Sequence, residues 1–423
     1  MSVTDDRPLF TNWAGNESCR PQQIAHPRTE EEASEIISSA ARRGLPVRVV
    51  GAGHSFTTLS LTEGVLISLD RMSGVLRADP GTRRVTVAAG TPIRDFGDPL
   101  WAAGLCLKNQ GDIDSQHIVG AISTATHGSG IRQQCFSAAA KRFRVVLPSG
   151  EPIDVTEDDP ELLAAMQVSL GLLGVITEVE LEVRDAFALA ERIEFWPLEK
   201  LLARWDEEMS SRRHFSFFWM PAADSPDRLF MDYPDGLNMA DWSRVKLYDE
   251  APVSALNSRA AAQAAQSESG PGRLDRPYRI YPDPDLEGEI VMRELEYMVP
   301  FERGKEAFLA LRDLVLQKYP DNKYPIEIRS IAADNAYLSP FYRRDSISVS
   351  ICGHKYLNYR EFLADVARTL DPFDPRPHWG KLYYMDRQRL RAAFPEYDRF
   401  AGIRERLDPA DAFLGPYLSP AFR

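Results

Sequence analysis

Val47-Arg48-Val49-Val50-Gly51-Ala52-Gly53-His54-Ser55-Phe56 is the stretch on which the reading of this 423-residue chain turns. A β-branched run that ends in glycines is a strand entering a tight turn, where bare backbone can approach a ligand closely. A dinucleotide fingerprint would need a third glycine at position 56 and a helix directly after it, because the helix N-terminus carries the pyrophosphate. Position 56 is Phe, and Gly64-Val65-Leu66-Ile67-Ser68-Leu69-Asp70 reads as another strand. The doubly wound reading fails on both counts. A lone His54 in such a turn is as readily a solvated or packed imidazole as a functional one.

A second glycine-rich stretch changes the balance. Gly111-Asp112-Ile113-Asp114-Ser115-Gln116-His117-Ile118-Val119-Gly120-Ala121-Ile122-Ser123-Thr124-Ala125-Thr126-His127-Gly128-Ser129-Gly130 concentrates small and hydroxylic residues at a density foreign to a core helix or strand. A backbone cradle for a phosphate or a flavin uses that composition. Two cradles in one half of the chain point to one large, extended cofactor.

Together the two stretches resemble the FAD-binding domain of the vanillyl-alcohol oxidase type, in its aldonolactone oxidase and alditol oxidase branch. The resemblance spans nearly the whole chain. It implies an α+β, two-domain flavoprotein, with a PCMH-type FAD-binding domain over 11–185 and an antiparallel-sheet cap domain for substrate over 186–375. A C-terminal segment, 376–423, returns to the FAD site. It implies FAD bound covalently through its 8α-methyl to His54. Val50, Gly51, Ala52, Gly53, Ser55, Gly111, Asp112, His117, Gly120, Thr124, Ala125, Thr126, His127 and Ile176 are then the residues around the cofactor. Of these, His127 is expected to touch it through its backbone and Ile176 to lie at the adenine end.

Two positions bear on the reaction. Gly111 falls where the family has a residue that controls oxygen access to the flavin, glycine in oxidases and alanine in a dehydrogenase. One methyl can fill a small tunnel in a close-packed interior, so glycine favours an oxidase, although a glycine that merely permits a turn is an equal account. Asp112 stands where alditol oxidases carry a substrate-binding serine, and that departure weakens a simple alditol as substrate.

Composition limits the rest. A net charge of -12 leaves no basic face for a nucleic acid. No apolar run approaches the roughly 18 residues that a membrane span requires. The N-terminal stretch has acids at positions 5 and 6 and no apolar core, so it does not read as a secretory signal, and cytoplasm is the expectation. Cys19, Cys106, Cys135 and Cys352 lack metal-ligand spacing and are expected as buried or idle thiols, with no metal site. Neither Cys106 nor Cys135 falls in the second cradle, which disfavours a second, cysteinyl flavin link.

Along the chain, Thr29 and three glutamates open a helix that Gly44 stops. Short strands follow at 65–69, 75–79 and 84–89, a helix is predicted over 92–103, strands over 140–148, a hairpin turn at 149–151 and a helix over 161–170. The glycine turn at 171–174 leads into an alternating strand to 183. In the second half, strands are predicted over 215–220, 290–299, 326–332 and 346–351, flanking helices such as 300–318. The Ala, Ser, Gln and Gly-rich stretch 253–272 reads as a mobile surface segment with a frayed helix.

Chemistry returns at Pro325-Ile326-Glu327-Ile328-Arg329. Strand alternation puts Glu327 and Arg329 on one face and the two isoleucines on the other. Such a pair is commonly a surface ion pair of little worth. By the resemblance, this is the strand whose glutamate and arginine bind the substrate hydroxyls. Ser350-Ile351-Cys352-Gly353 departs from the family's pattern at a further substrate contact, so no role follows there. In Pro377-His378-Trp379-Gly380-Lys381, the resemblance places Lys381 against the pyrimidine edge of the flavin, where a cation stabilises charge accumulating on reduction.

The implied reaction is oxidation of a hydroxyl on an aldonolactone or polyol by hydride transfer to flavin N5, with O2 reduced to H2O2. Glu327, Arg329 and Lys381 are the catalytic candidates. An alditol oxidase, a lactone dehydrogenase with another acceptor, and a flavin-binding module without turnover remain open.

Overall fold

The computed structural model describes residues 6–257, 266–267, 270–283, 290–416 and 418–423. The Thr29 hydroxyl accepts the amide hydrogen of Glu32, and acids fill the first turn of the helix Glu30–Arg42. Both features satisfy the exposed donors and partial positive charge of a helix N-terminus. Gly44, at φ +63°, ends the element. The chain then runs through Val47–Val50, which pairs parallel with Val65–Ser68, itself parallel to Gln23–Ala25. Between the two longer strands lies only a single 3-10 turn, Thr58–Ser60, so the helix that a dinucleotide fold demands is absent from that position.

A five-stranded antiparallel sheet completes the first half, in the order Pro152–Val155, Ala140–Val146, Val175–Glu182, Arg84–Ala88, Val75–Asp79. Two helices differ from expectation. The predicted 92–103 helix is a 3-10 turn, Ile93–Phe96, followed by the helix Gly97–Ala102. The predicted 161–170 helix stops at Met166, because Leu170 and Gly171 turn left-handed, at φ +54° and +67°. The second cradle also holds a regular element that its composition argued against. Ile118–Ser123 is a short, largely buried helix. Its Gly120 and Ala121 keep one side low enough for the first loop to pack there: a Cβ built on Gly120 would stand 4.0 Å from the Gly51 Cα.

The second half is a nine-stranded antiparallel sheet. Its central strands are Ala188–Pro197, Trp242–Ala251, His214–Met220, Ile326–Ile331, Ser346–His354 and Met292–Pro300, neighbouring one another in that order. Period-2 alternation sorts the sheet into two faces. Ile326, Ile328, Phe217, Trp219, Val245, Leu247, Val349 and Ile351 share a buried apolar cluster with Leu201, Phe308 and Leu363, residues of the helices Leu198–Ser211, Gly304–Lys318 and Tyr359–Leu370. The helices therefore cover one face, as the patterning predicted. The opposite face is polar and looks toward the first half.

Within the stretch expected to carry a frayed helix, Val253–Asn257 is a 3-10 turn and Gly270–Asp275 is a strand paired with Ala188–Pro197. Residues 258–265 and 268–269 lie outside the described residues. At the other end, Arg376–Pro377 adds a last strand beside Met292–Pro300. The chain then returns: Trp379, Leu390, Phe394, Tyr397, Phe400, Ile403 and Phe413 join the core of Val47, Ile67, Val87, Phe143 and Val179. No described helix is long and apolar enough to cross a membrane.

Candidate active site

The first loop is fixed from three sides. Gly53 adopts φ +72°, a backbone region open to glycine at little cost, and its carbonyl accepts from Trp13 N at 2.9 Å. Asn12 Nδ2 donates to the Ser55 carbonyl at 2.9 Å. Phe56 N donates to the Gly380 carbonyl at 2.8 Å, which ties the loop to the segment carrying Lys381. His54 is held in turn, with Nε2 3.1 Å from Ser115 Oγ and its ring stacked on Trp13 at 4.8 Å between centroids.

The second cradle is equally tight. A Cβ on Gly51 would meet the His117 Cβ at 3.2 Å, and one on Gly128 would stand 2.2 Å from the Gln110 carbonyl oxygen. Only bare backbone fits the crossing at Gly128, and at Gly51 a side chain would have to push His117 aside. Gly130 N donates to the Ser330 carbonyl, so the end of the cradle lies against the strand of Glu327 and Arg329.

Between the cradles and the polar face of the large sheet lies a cavity of about 940 Å³. His54, Gly111, Asp112, Thr126, His127, Glu327, Arg329 and Lys381 all line it. The other predicted cofactor residues do not. Val50, Gly51, Ala52, Gly53, Ser55, His117, Gly120, Thr124 and Ala125 belong to the first loop and the second cradle without lining it, and Ile176 sits in the five-stranded sheet opposite Val145.

The electrostatics centre on Arg329, whose guanidinium lies 3.0 Å from Asp112 Oδ2, 3.0 Å from Glu296 Oε1 and 3.4 Å from Glu327 Oε2. One cation facing three carboxylates cannot keep all of them ionised in a dry site. Glu296 stays well below the ordinary carboxylate range. Burial opposes this, but His127 and Arg329 overcome it, and Ser348 Oγ donates to Glu296 as well. Glu327 goes the other way, raised to about 8, first by burial and then by Asp112, with Arg329 opposing. It is a carboxyl placed to exchange a proton near neutrality. Lys381 pairs with Glu294, which also accepts from Ser350 Oγ at 2.6 Å.

Sequence reasoning missed Glu294, Glu296 and Lys246. Acids at alternate positions of the strand Met292–Pro300, Glu294 and Glu296, were the available signal. Lys246, 2% exposed, lies 2.8 Å from Asp283 and 3.8 Å from Asp112. The motif residue His378 is also at the site. Burial holds it neutral, lowering it to about 3, and its Nδ1 accepts from Gly380 N. His127, Glu296 and His378 bring three metal-type ligand atoms within 4.8 Å of one another. Arg329 already occupies the same Glu296 oxygen, and a fixed cation there opposes a divalent ion. His127, expected to contribute backbone only, presents its Nε2 3.1 Å from that carboxylate. Of the cysteines, Cys352 lines the cavity, where burial holds its thiol well above the ordinary value.

Comparison with known proteins accords with this geometry. Residues 21–156 match the FAD binding domain family, and residues 276–421 match the family described as D-arabinono-1,4-lactone oxidase. The chain is 35% identical over 424 residues to an L-gulono-1,4-lactone dehydrogenase of Mycobacterium tuberculosis, covering 97% of this chain and 98% of that one. It is 28% identical to L-gulonolactone oxidase of Mus musculus, with 98% of each chain covered. It is 26% identical to an alditol oxidase of Streptomyces, over 96% of this chain and 97% of that one. The fold matches the crystal structure of cholesterol oxidase from B. sterolicum with a TM-score of 0.81, at 13% identity and with 100% of this chain and 98% of that one covered. The chain therefore belongs to the FAD-dependent oxidoreductase family that includes the gulonolactone oxidases and dehydrogenases, the alditol oxidases and the arabinonolactone oxidases.

Proposed function

We propose that the protein oxidises a hydroxyl of a 1,4-aldonolactone, with FAD covalently attached at His54 and oxygen as the electron acceptor. The observation that carries the reading is the convergence of His54 from the first loop, Asp112 from the second, Glu327 and Arg329 from the large sheet and Lys381 from the C-terminal segment on one cavity. The names of the relatives, lactone oxidases and dehydrogenases among them, supply the substrate class.

Arg329, 9% exposed and held on two sides by Asp112 and Glu296, presents a rigid guanidinium to the substrate oxygen. Its fixed charge stabilises negative charge developing on that oxygen, without reorganisation. Glu327 beside it accepts the hydroxyl proton. Lys381, paired with Glu294, adds a second cation to the cavity wall. FAD bound there would supply the hydride acceptor and the route of the electrons to oxygen, with hydrogen peroxide as the product.

The test is anaerobic bleaching of the visible flavin absorption by a panel of 1,4-aldonolactones and alditols, followed by the peroxide yield under air. Failure of every lactone and polyol to bleach it leaves a binding module without turnover. Bleaching by lactones with no peroxide leaves a dehydrogenase, as the Mycobacterium relative's name describes.

Two substitutions sharpen the reading. Acid-precipitated wild type should be yellow and His54→Ala colourless, because only a covalent bond survives denaturation; a yellow His54→Ala pellet rules out this attachment point. In Gly111→Ala the new methyl would stand 3.0 Å from the His127 carbonyl oxygen, inside the space at the cavity wall. Peroxide release should fall by about tenfold or more, the scale on which one methyl group decides access to a tight site, while anaerobic bleaching persists. Equal loss of both would show that Gly111 serves only the backbone turn.

A further inference from the structure

The polar face of the large sheet continues beyond the reacting groups. Cross-strand register places Ser350 opposite Glu327, Glu327 opposite Phe218, and Phe218 opposite Arg244. Directly opposed residues on adjacent strands share a face, so this row runs from the site of proton transfer along the cavity floor to Arg244. Two strand steps separate the backbones of Glu327 and Arg244 by about 10 Å. Buried Phe218 forms an apolar platform between them.

Among the described residues, the other Arg and Lys side chains that line this chamber, and the neighbouring Lys246, each have a carboxylate. Arg329 has Asp112 and Glu296, Lys381 has Glu294, Lys246 has Asp283, and Arg273 has Glu191. Arg244 also lines the cavity, and its Nε is buried without a hydrogen-bond partner. Asp283 feels the Arg244 charge but gives its oxygens to Lys246. Among the described residues no carboxylate pairs with Arg244. A half-buried guanidinium without a counter-ion carries a desolvation cost that a ligand anion can relieve.

We propose that the substrate carries an anionic group, carboxylate or phosphate, at the end remote from the oxidised hydroxyl, and that Arg244 binds it. The inference rests on the lactone reading and narrows it: the preferred substrate is an acidic sugar lactone, lying with its apolar face over Phe218, its reacting hydroxyl at Glu327 and Arg329, and its charged terminus at Arg244. Planar, forked donors suit either oxyanion.

Flavin-loaded wild type, Arg244→Gln and Arg244→Lys are to be compared by anaerobic flavin bleaching. The substrates are a neutral 1,4-aldonolactone and two counterparts of the same ring, one with a terminal carboxylate and one with a terminal phosphate. Wild type should favour at least one anionic lactone by about tenfold or more in kcat/KM, a preference that salt weakens. Arg244→Gln should lower that charged-to-neutral ratio by about tenfold or more, and Arg244→Lys should retain part of it. The preferred arm identifies the anion. A wild-type ratio at or below one, or a ratio unchanged in Arg244→Gln, overturns the proposal while leaving lactone oxidation standing. If no lactone of either kind bleaches the flavin, the lactone reading fails, and calorimetric titration with 6-phosphogluconate decides the anion site by itself. Binding weakened in Arg244→Gln upholds the site, and absent or unaltered binding overturns it.

Discussion

Glu327→Gln is expected to lower kcat by about 100- to 10,000-fold, the range that a positioned general base contributes, with a smaller effect on KM. The amide keeps the size of the carboxyl and its place opposite Ser350 and Phe218, so the loss reports chemistry more than packing. The pH dependence gives the sign. Burial raises Glu327 to about 8, so below that pH the carboxyl holds its proton and cannot take another. In wild type, kcat/KM should therefore climb as the pH rises through about 8 and level off above it. In Glu327→Gln nothing titrates at that position, and this limb should vanish. Stopped-flow bleaching of the flavin across pH 6 to 10 provides the measurement. A variant that keeps the wild-type limb assigns the proton transfer elsewhere.

The second large effect concerns stability. Arg48, in the strand leading to the His54 loop, is 1% exposed and, among the described residues, pairs with no carboxylate. Its Nε donates to the Leu59 carbonyl at 2.9 Å, Nη1 to those of Gly171 and Phe413 at 3.2 and 2.5 Å, and Nη2 to that of Leu170 at 2.8 Å. One side chain thus satisfies four carbonyls on three separate segments, and burial alone lowers it to about 10. Arg48→Met fills similar volume but leaves all four acceptors dry. The expected cost is about 3 kcal/mol or more, from one to three for each buried group left unpaired and partly offset by relaxation. That is a large share of a typical folding stability of about 5–15 kcal/mol. The denaturation midpoint should drop and the flavin should dissociate more readily from any non-covalent fraction. An unchanged midpoint would mean that water replaces the guanidinium in full.

Much of the site could be read from short stretches, because its signals are local. Glycines at 51, 111 and 128 mark close crossings of the chain, Gly53 holds a left-handed turn, and the alternation through Ile326–Ile331 places Glu327 and Arg329 on one face. What could not be read depends on register between distant strands. Glu296 reaches Arg329 because Met292–Pro300 pairs with Ser346–His354, and nothing near either strand in sequence specifies that pairing. Arg244 and Lys246 were invisible for the same reason. The helix errors have a different origin. Apolar spacing continues past Met166, but the left-handed turn at Leu170 and Gly171, whose carbonyls Arg48 captures, ends the helix before propensity alone would.

The return of residues 379–422 to the first core has a consequence for biosynthesis. Trp379, Phe394, Tyr397, Phe400 and Phe413 supply side chains to the same apolar interior as Val47 and Phe143. While the ribosome is still extending the middle of the chain, that interior lacks part of its packing, so the general rule that N-terminal domains fold first during translation does not apply. The first core can complete its packing only once the segment that carries Trp379 to Phe413 has been made.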